Sequence, residues 1–340
     1  MLKKENVEGY YYPLIDTVKL VCAFFVVLIH CVEVEIGHPI ATFIVKCFST
    51  QAVPFFMITS AFFATNKIDR KTNLKKIIGL CFNNWLFKYS VWSILWLPFY
   101  IVLYHLKYPD VSFTYRFLMI VRRIFFAGQG VYWYLLVLAE AIFVVWFFVH
   151  FHKEKMLYFL GMIGLILGVL YDADVTTMGM DVMHKCIYAL FSWSNNVFMK
   201  GIPYVALGYF LRKSKEQLHF ESWKLAIMYS VASIGTVLLY ILGKEQWLCL
   251  YPIQAGCLFL MACQPIRGKI SKSLCLTCRN MSSAIYFLHT VFIYGIIDPV
   301  FGVDSPIIMK FSISVLLSIV VLFVVKRMKI HPVKWLLCVK

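Results

Sequence analysis

Residues 14–31 read LIDTVKLVCAFFVVLIHC. Past Asp16 and Lys19, nothing ionisable interrupts the run until His30. A helix of this length rises about 27 Å, close to the thickness of a bilayer's hydrocarbon core. A chain in lipid must satisfy its own backbone hydrogen bonds, which a helix does. Asp16 and Lys19 break the start of the run and no small-residue cleavage site follows, so it is expected to be a retained first span and not a cleaved signal peptide.

Working outward, nine further apolar segments have comparable character: Ala41–Thr65, Ile77–Leu106, Val131–Phe151, Met156–Tyr171, Val197–Leu211, Leu225–Leu242, Trp247–Cys263, Met281–Val300 and Ile308–Val325. The Met156, Val197 and Trp247 segments are short for a crossing. The whole chain of 340 residues is 61% apolar and only 15% charged, and its mean hydropathy is +0.77. A soluble domain carries roughly a quarter of its residues charged, so much of this surface is expected to face lipid. The fold class implied is an all-α polytopic membrane protein of about ten transmembrane helices, forming a single domain over residues 1–340.

The basic residues test that count. With the amino terminus in the cytoplasm, ten crossings return the carboxyl terminus there. Of the 33 Lys and Arg, 22 then fall in inside segments and six outside: Lys107, Arg116, Arg122, Arg123, Lys185 and Lys244. The other five (Lys19, Lys46, Lys88, Lys200 and Lys310) lie within spans. This is the asymmetry of the positive-inside rule; moving the register by one span destroys it. The loops at 67–76, 212–224 and 264–279 are thus expected inside, and those at 107–130 and 172–196 outside. The net charge of +16 is a topology signal, and no basic stripe with interleaved aromatics points to nucleic acid.

Most of the eleven cysteines fall in spans or inside loops, where disulfides are not expected. Cys275 and Cys278 form a lone CxxC with no second ligand pair nearby, so no metal site is expected.

Ionisable groups within spans are costly and mark candidate functional positions. Lys19 and His30 are eleven residues apart, within about 20° of one helical face and about 16 Å along the axis. One face thus carries a cation at the inner mouth and an imidazole in the outer half. A snorkelling lysine and a structurally hydrogen-bonded histidine fit the same spacing. In MSSAIYFLH (281–289), Ser282, Tyr286 and His289 share a face, which serves an active site or ordinary interhelical hydrogen bonding. Trp133 and Tyr134 stand at the outer interface, where aromatic belts occur. Glu140 lies deeper on the same helix and needs a partner, with Lys88 and Lys200 as the available cations.

These residues carry a resemblance. The chain is similar to the integral-membrane acyltransferase family 3, whose members O-acetylate bacterial polysaccharides and peptidoglycan. Asp16, Lys19 and His30 match the family's first-span pattern of an Asp, a basic residue and, after ten positions, a histidine. VPFFMITSAFF (53–63) is similar to its VPxFFxxSG run, with Ala61 in place of Gly. Trp133–Tyr134–Leu135 matches its WYL, FMKGIPYVALGYFLRK (198–213) its LGY region, and SSAIYFLH its late S…IYxxH run. Two departures concern substrate contacts. Lys75 and Lys76, with Gly79, stand where an RxxR-like pair is usual, and Tyr132 stands where a His often precedes the tryptophan.

The resemblance implies a reaction across the membrane. Acyl-CoA, most simply acetyl-CoA, is the donor substrate, and no permanently bound cofactor is implied. Its phosphates would meet Lys19, Lys75 and Lys76, and the thioester would reach His30 as general base or transient acyl carrier, with Asp16 as an orienting group. Trp133, Tyr134, Glu140, Ser282, Tyr286 and His289 would line the acyl path or acceptor site. The acceptor would be a hydroxyl of a surface or exported glycan, the location the bacterial inner membrane, and the other partners membrane lipids and a second copy in a homodimer. A glycan or lipid flippase fits the intramembrane charges equally, but no internal repeat of the kind common in transporters is found. An inactive relative serving as scaffold or sensor carries the same motifs.

Overall fold

The computed structural model describes residues 12–32, 39–127, 130–172, 182, 185–186, 195–214, 221–243, 250–264, 270–328 and 331–339. Lys3, Lys4, Lys215, Lys244, Arg267, Lys269, Lys329 and Lys340 of the charge count lie outside them, as do most of the 172–196 loop and the start of the Trp247 segment.

Among the described residues the regular structure is all helical, with no strand. The first segment is α1 (Pro13–Val32). The second is α2 (Pro39–Cys47), a 3₁₀ turn and α3 (Ala52–Ala64). The third runs through α4 (Leu74–Cys81), a π turn at Phe82–Leu86 and α5 (Phe87–Lys107). The expected outside loop after it contains a helix, α6 (Phe113–Arg122), whose cap Ser112 accepts from the Tyr115 backbone N–H. Then come α7 (Trp133–His150), α8 (Glu154–Asp172), α9 (Ile202–Lys213, entered through a π turn at Val197–Gly201) and α10 (Ser222–Ile241). The remainder is α11 (Tyr251–Ala262), α12 (Lys272–Phe292), a π turn at Ile293–Ile297, α13 (Asp298–Phe301), α14 (Ile307–Arg327) and α15 (His331–Leu336).

Two expectations change in detail. Among the described residues eight helices, not ten, are long and apolar enough to cross a bilayer; the Val197 and Trp247 segments form shorter ones. The 264–279 loop is also shorter than expected, because α12 begins at Lys272 and brings Arg279 two turns into a helix. Chain direction nevertheless reverses as ten passes require. Gln254 reaches the Cys47 carbonyl while Phe259 packs on Phe55 and Phe62, so α11 runs parallel to the second segment. Gln51 meets Tyr229 and Phe43 meets Tyr240, so α10 runs antiparallel to it. Gly208 lies against Ile58 and Arg212 reaches Asn66, so α9 is parallel to α3. Removing the two short segments from the count would invert α10.

The 67–76, 150–154 and 212–214 connections gather at one end of the bundle. Glu154 there takes Arg70 at 3.4 Å and Lys213 at 3.5 Å, and His150 meets the Arg70 carbonyl. Large side chains such as Ile94, Leu95, Ile234, Ile308, Leu316 and Phe323 cover the outer face, the surface a lipid-embedded bundle presents. The chain is an all-α, multi-pass membrane protein.

Candidate active site

The site is built on α1 and α12, which run parallel and in register. At the 67–76 end, the Asp16 carboxylate accepts two hydrogen bonds from Arg279, 2.9 Å from Nε and 2.7 Å from Nη2. Toward the other end, the rings of His30 and His289 lie 5.3 Å apart, and the Tyr294 hydroxyl is 3.4 Å from His30 Nδ1. Asp16 is 2% exposed, so its charge is stable there only because the guanidinium fork answers it. Fourteen residues of helix, about 21 Å, separate it from His30. The expected orienting role is therefore corrected: Asp16 is committed to Arg279 and locks the two helices together, out of reach of His30.

A cavity opens at each end of this pair. The one at the Asp16–Arg279 end, called inner from the orientation the charge distribution leads one to expect, is about 220 Å³ and is lined by Lys19, Arg279, Ser282, Tyr286, Tyr134 and Cys338 among others. Lys19 also lies over the Phe63 ring at 5.9 Å. Asn84 belongs both to this cavity and to a neighbouring groove of about 260 Å³ that Lys67, Lys76 and Thr72 line. The geometry thus brings Lys19 and Lys76 to neighbouring spaces that share Asn84, while the exposed Lys75 lines neither. The segment after α14 closes one side of the inner cavity. Its Leu337 is buried, and Trp335 covers the Lys88 ammonium at 4.2 Å.

The outer cavity is larger, about 640 Å³. His30, Trp133, Arg123, Tyr294 and Asp298 line it, with aromatic walls from Trp96, Tyr100 and Tyr132. Between the cavities stands a polar partition. Tyr286, lining the inner side, donates to the Val131 carbonyl, which lines the outer side, at 2.5 Å. Tyr134 holds Ser60 at 2.7 Å and donates to the Phe56 carbonyl at 3.1 Å. Trp133 and Tyr134, adjacent at the start of α7, thus face opposite cavities.

His289 sits inside this partition, fully buried. Its Nδ1 is 2.9 Å from the carbonyls of both Ile285 and Tyr286, which only accept, so Nδ1 carries the proton. Nε2 is then a bare acceptor, and it is buried with no protein partner. A buried neutral acceptor beside a second imidazole is placed to accept a hydrogen bond from a charged partner and so to steady an imidazolium. Tyr132 is structural: it donates to the Phe287 carbonyl, accepts from Trp96 and stacks on Trp92.

Glu140 lines neither cavity. Neither of the two available cations serves it: Lys88 donates to the Asn84 carbonyl and lies on Trp335, and Lys200 reaches Tyr251. The sequence reading missed Arg279, Tyr294, Asp298 and Cys338. Arg279 was legible, three residues before Ser282 on the same face, but was assigned to a loop. Tyr294 lies within a π turn and Asp298 just beyond it, where the face rotates away from the 3.6-residue period, so periodicity alone does not find them.

Among the described residues no cluster of three or more His, Cys, Asp or Glu is arranged to hold a metal ion. No curated protein and no solved structure matches the chain significantly. The family model of the acyltransferase domain of family 3 matches residues 12–327, from the start of α1 to the end of α14. That range contains the His30–His289 pair and the helices of both cavities; it leaves out residues 1–11 and 328–340, and the latter include the segment packed beside Lys88. The chain belongs to acyltransferase family 3.

Proposed function

We propose that this acyltransferase moves an acyl group, most simply acetyl, from cytoplasmic acyl-CoA to a hydroxyl of a surface or exported glycan across the bacterial inner membrane. One observation carries the reading: the cation-lined cavity and the His30 cavity lie at opposite ends of one clamped helix pair, separated by a thin polar partition. Lys19, Arg279 and Lys76 suit the donor's phosphates. The aromatic walls of the outer cavity suit the apolar faces of sugar rings.

In this reading the partition opens enough for the thioester to pass Tyr286 and reach His30. An acceptor hydroxyl gives its proton to the His30 imidazole, and its oxygen forms a bond to the thioester carbonyl carbon. The C–S bond then breaks, and the leaving CoA thiolate takes the proton from the imidazolium. Atoms and charge balance without a further reactant. His289 Nε2 is the neighbouring acceptor that steadies the charged imidazole during the step.

The test is a comparison of surface-glycan masses from deletion and complemented strains. A mass increment lost on deletion and restored on complementation identifies the acyl group and the acceptor together. Purified protein in vesicles separates the flippase reading: acyl-CoA consumption coupled to acceptor acylation supports transfer, and glycan flux without acyl-CoA consumption overturns it.

A further inference from the structure

On the wall of the outer cavity Asp298 takes part in an ion pair to which the reaction above gives no role. Asp298 begins α13, one turn beyond Tyr294, the residue whose hydroxyl touches His30. The π turn at Ile293–Ile297 rotates both residues onto the same cavity wall. Lys310, on α14, is fully buried; its ammonium lies 3.0 Å from Asp298 Oδ1 and also donates to the Val303 carbonyl. Asp298 Oδ1 receives no aligned hydrogen bond despite that ion pair. A carboxylate thus lines the reaction chamber, charge-balanced by a buried ammonium against its Oδ1 and with no protein donor aligned on that oxygen.

Burying a lysine beneath a carboxylate costs desolvation energy that apolar side chains of similar size would avoid. A purely structural link between α13 and α14 does not need that expense, nor a place on the wall of His30's cavity. We infer that Asp298 is an acceptor-binding residue: it accepts a hydrogen bond from a hydroxyl of the acceptor other than the one acylated, further out on the same sugar or its neighbour. The glycan acceptor of the proposed reaction is then held by a second of its hydroxyls, and Asp298 is the residue that holds it. This rests on the acyl-transfer reading for the identity of the reaction, but not for the existence of the sugar subsite.

The experiment uses the purified full chain in nanodiscs, with methyl hexopyranosides and their monodeoxy analogues as probes. Trp96 and Trp133 line the cavity and report binding by fluorescence. Because a single substitution strands a buried charge, the variant is Asp298→Leu/Lys310→Met, which removes both charges at similar volume. The wild type is expected to bind at least one hexopyranoside saturably and to lose affinity about tenfold for one particular deoxy analogue. The double variant is expected to bind the parent sugar about tenfold more weakly and no longer to distinguish that analogue. Its thermal-unfolding midpoint and its monodisperse elution in detergent should stay close to those of the wild type, which loss of folding would not permit. No saturable binding by the wild type, or unchanged sugar affinity in the folded double variant, overturns the inference. Sugar binding by a wild type that never consumes acyl-CoA leaves the subsite standing and overturns acyl transfer instead.

Discussion

His30 and Lys19 share a helical face, yet the structure places them in different chambers, and that difference has a kinetic signature. His30→Ala removes the base beside His289 and is expected to lower kcat by roughly 100-fold or more while acyl-CoA still binds. Lys19→Ala is expected to raise KM for acyl-CoA with a smaller effect on kcat, since phosphate binding is common to ground and transition states. Lys19→Arg keeps the charge and should largely restore KM. Steady-state kinetics in nanodiscs with varied acyl-CoA read both effects. A His30→Ala protein within threefold of wild type, or an unchanged KM in folded Lys19→Ala, returns that residue to a packing or snorkelling role.

Helices are held together here by two devices of opposite chemistry. The Asp16–Arg279 fork fixes α1 against α12 at one end. Removing one partner strands a carboxylate that is 2% exposed, so Arg279→Ala is expected to cost about 3 kcal/mol. The Asp16→Ala/Arg279→Ala double variant should lose less than the sum of the singles, measured as a thermal-unfolding cycle in detergent; strict additivity would show that the pair does not couple the helices. Between α9 and α3 the device is absence of a side chain. A Cβ on Gly208 would stand 2.6 Å from the Ile58 carbonyl oxygen and 2.7 Å from Ala61 Cβ, contacts that backbone cannot yield. Gly208→Ala is therefore expected to destabilise by about 1–3 kcal/mol. Gly79→Ala, with nothing within 4 Å, should be neutral or mildly stabilising in the same assay.

At the scale of the molecule, the charge asymmetry and the helix directions lead to one topology. The Arg70–Glu154–Lys213 network, the Asp16–Arg279 fork and Lys19 share one end, expected in the cytoplasm. Single cysteines introduced at 67–76 on a Cys-less background are thus expected to resist membrane-impermeant thiol reagents in intact cells, and to react after permeabilisation. A cysteine within 107–118 is expected to react from outside. Labelling of 67–76 in intact cells would overturn the orientation and, with it, the side from which the donor enters.

Composition, apolar run length and the distribution of lysine and arginine determined the class of molecule and its chain reversals, because lipid admits few ways to satisfy a backbone and the rules are local. The ordered motifs along α1, α3, α7 and α12 identified the family, and His30 and Lys19 were legible as one face of one helix. Which charge answers which was not legible. Asp16 turned out to bond Arg279, 263 residues away, and Glu140 to bond neither of the two lysines available to it. Pairing depends on the approach of helices distant in sequence, and helical periodicity reports the face of a helix but not its neighbour. The division into two cavities, the bare Nε2 of His289 and the placing of Asp298 beyond a π turn were likewise decided only by the tertiary packing. Each depends on distances of a few ångströms between side chains on different elements.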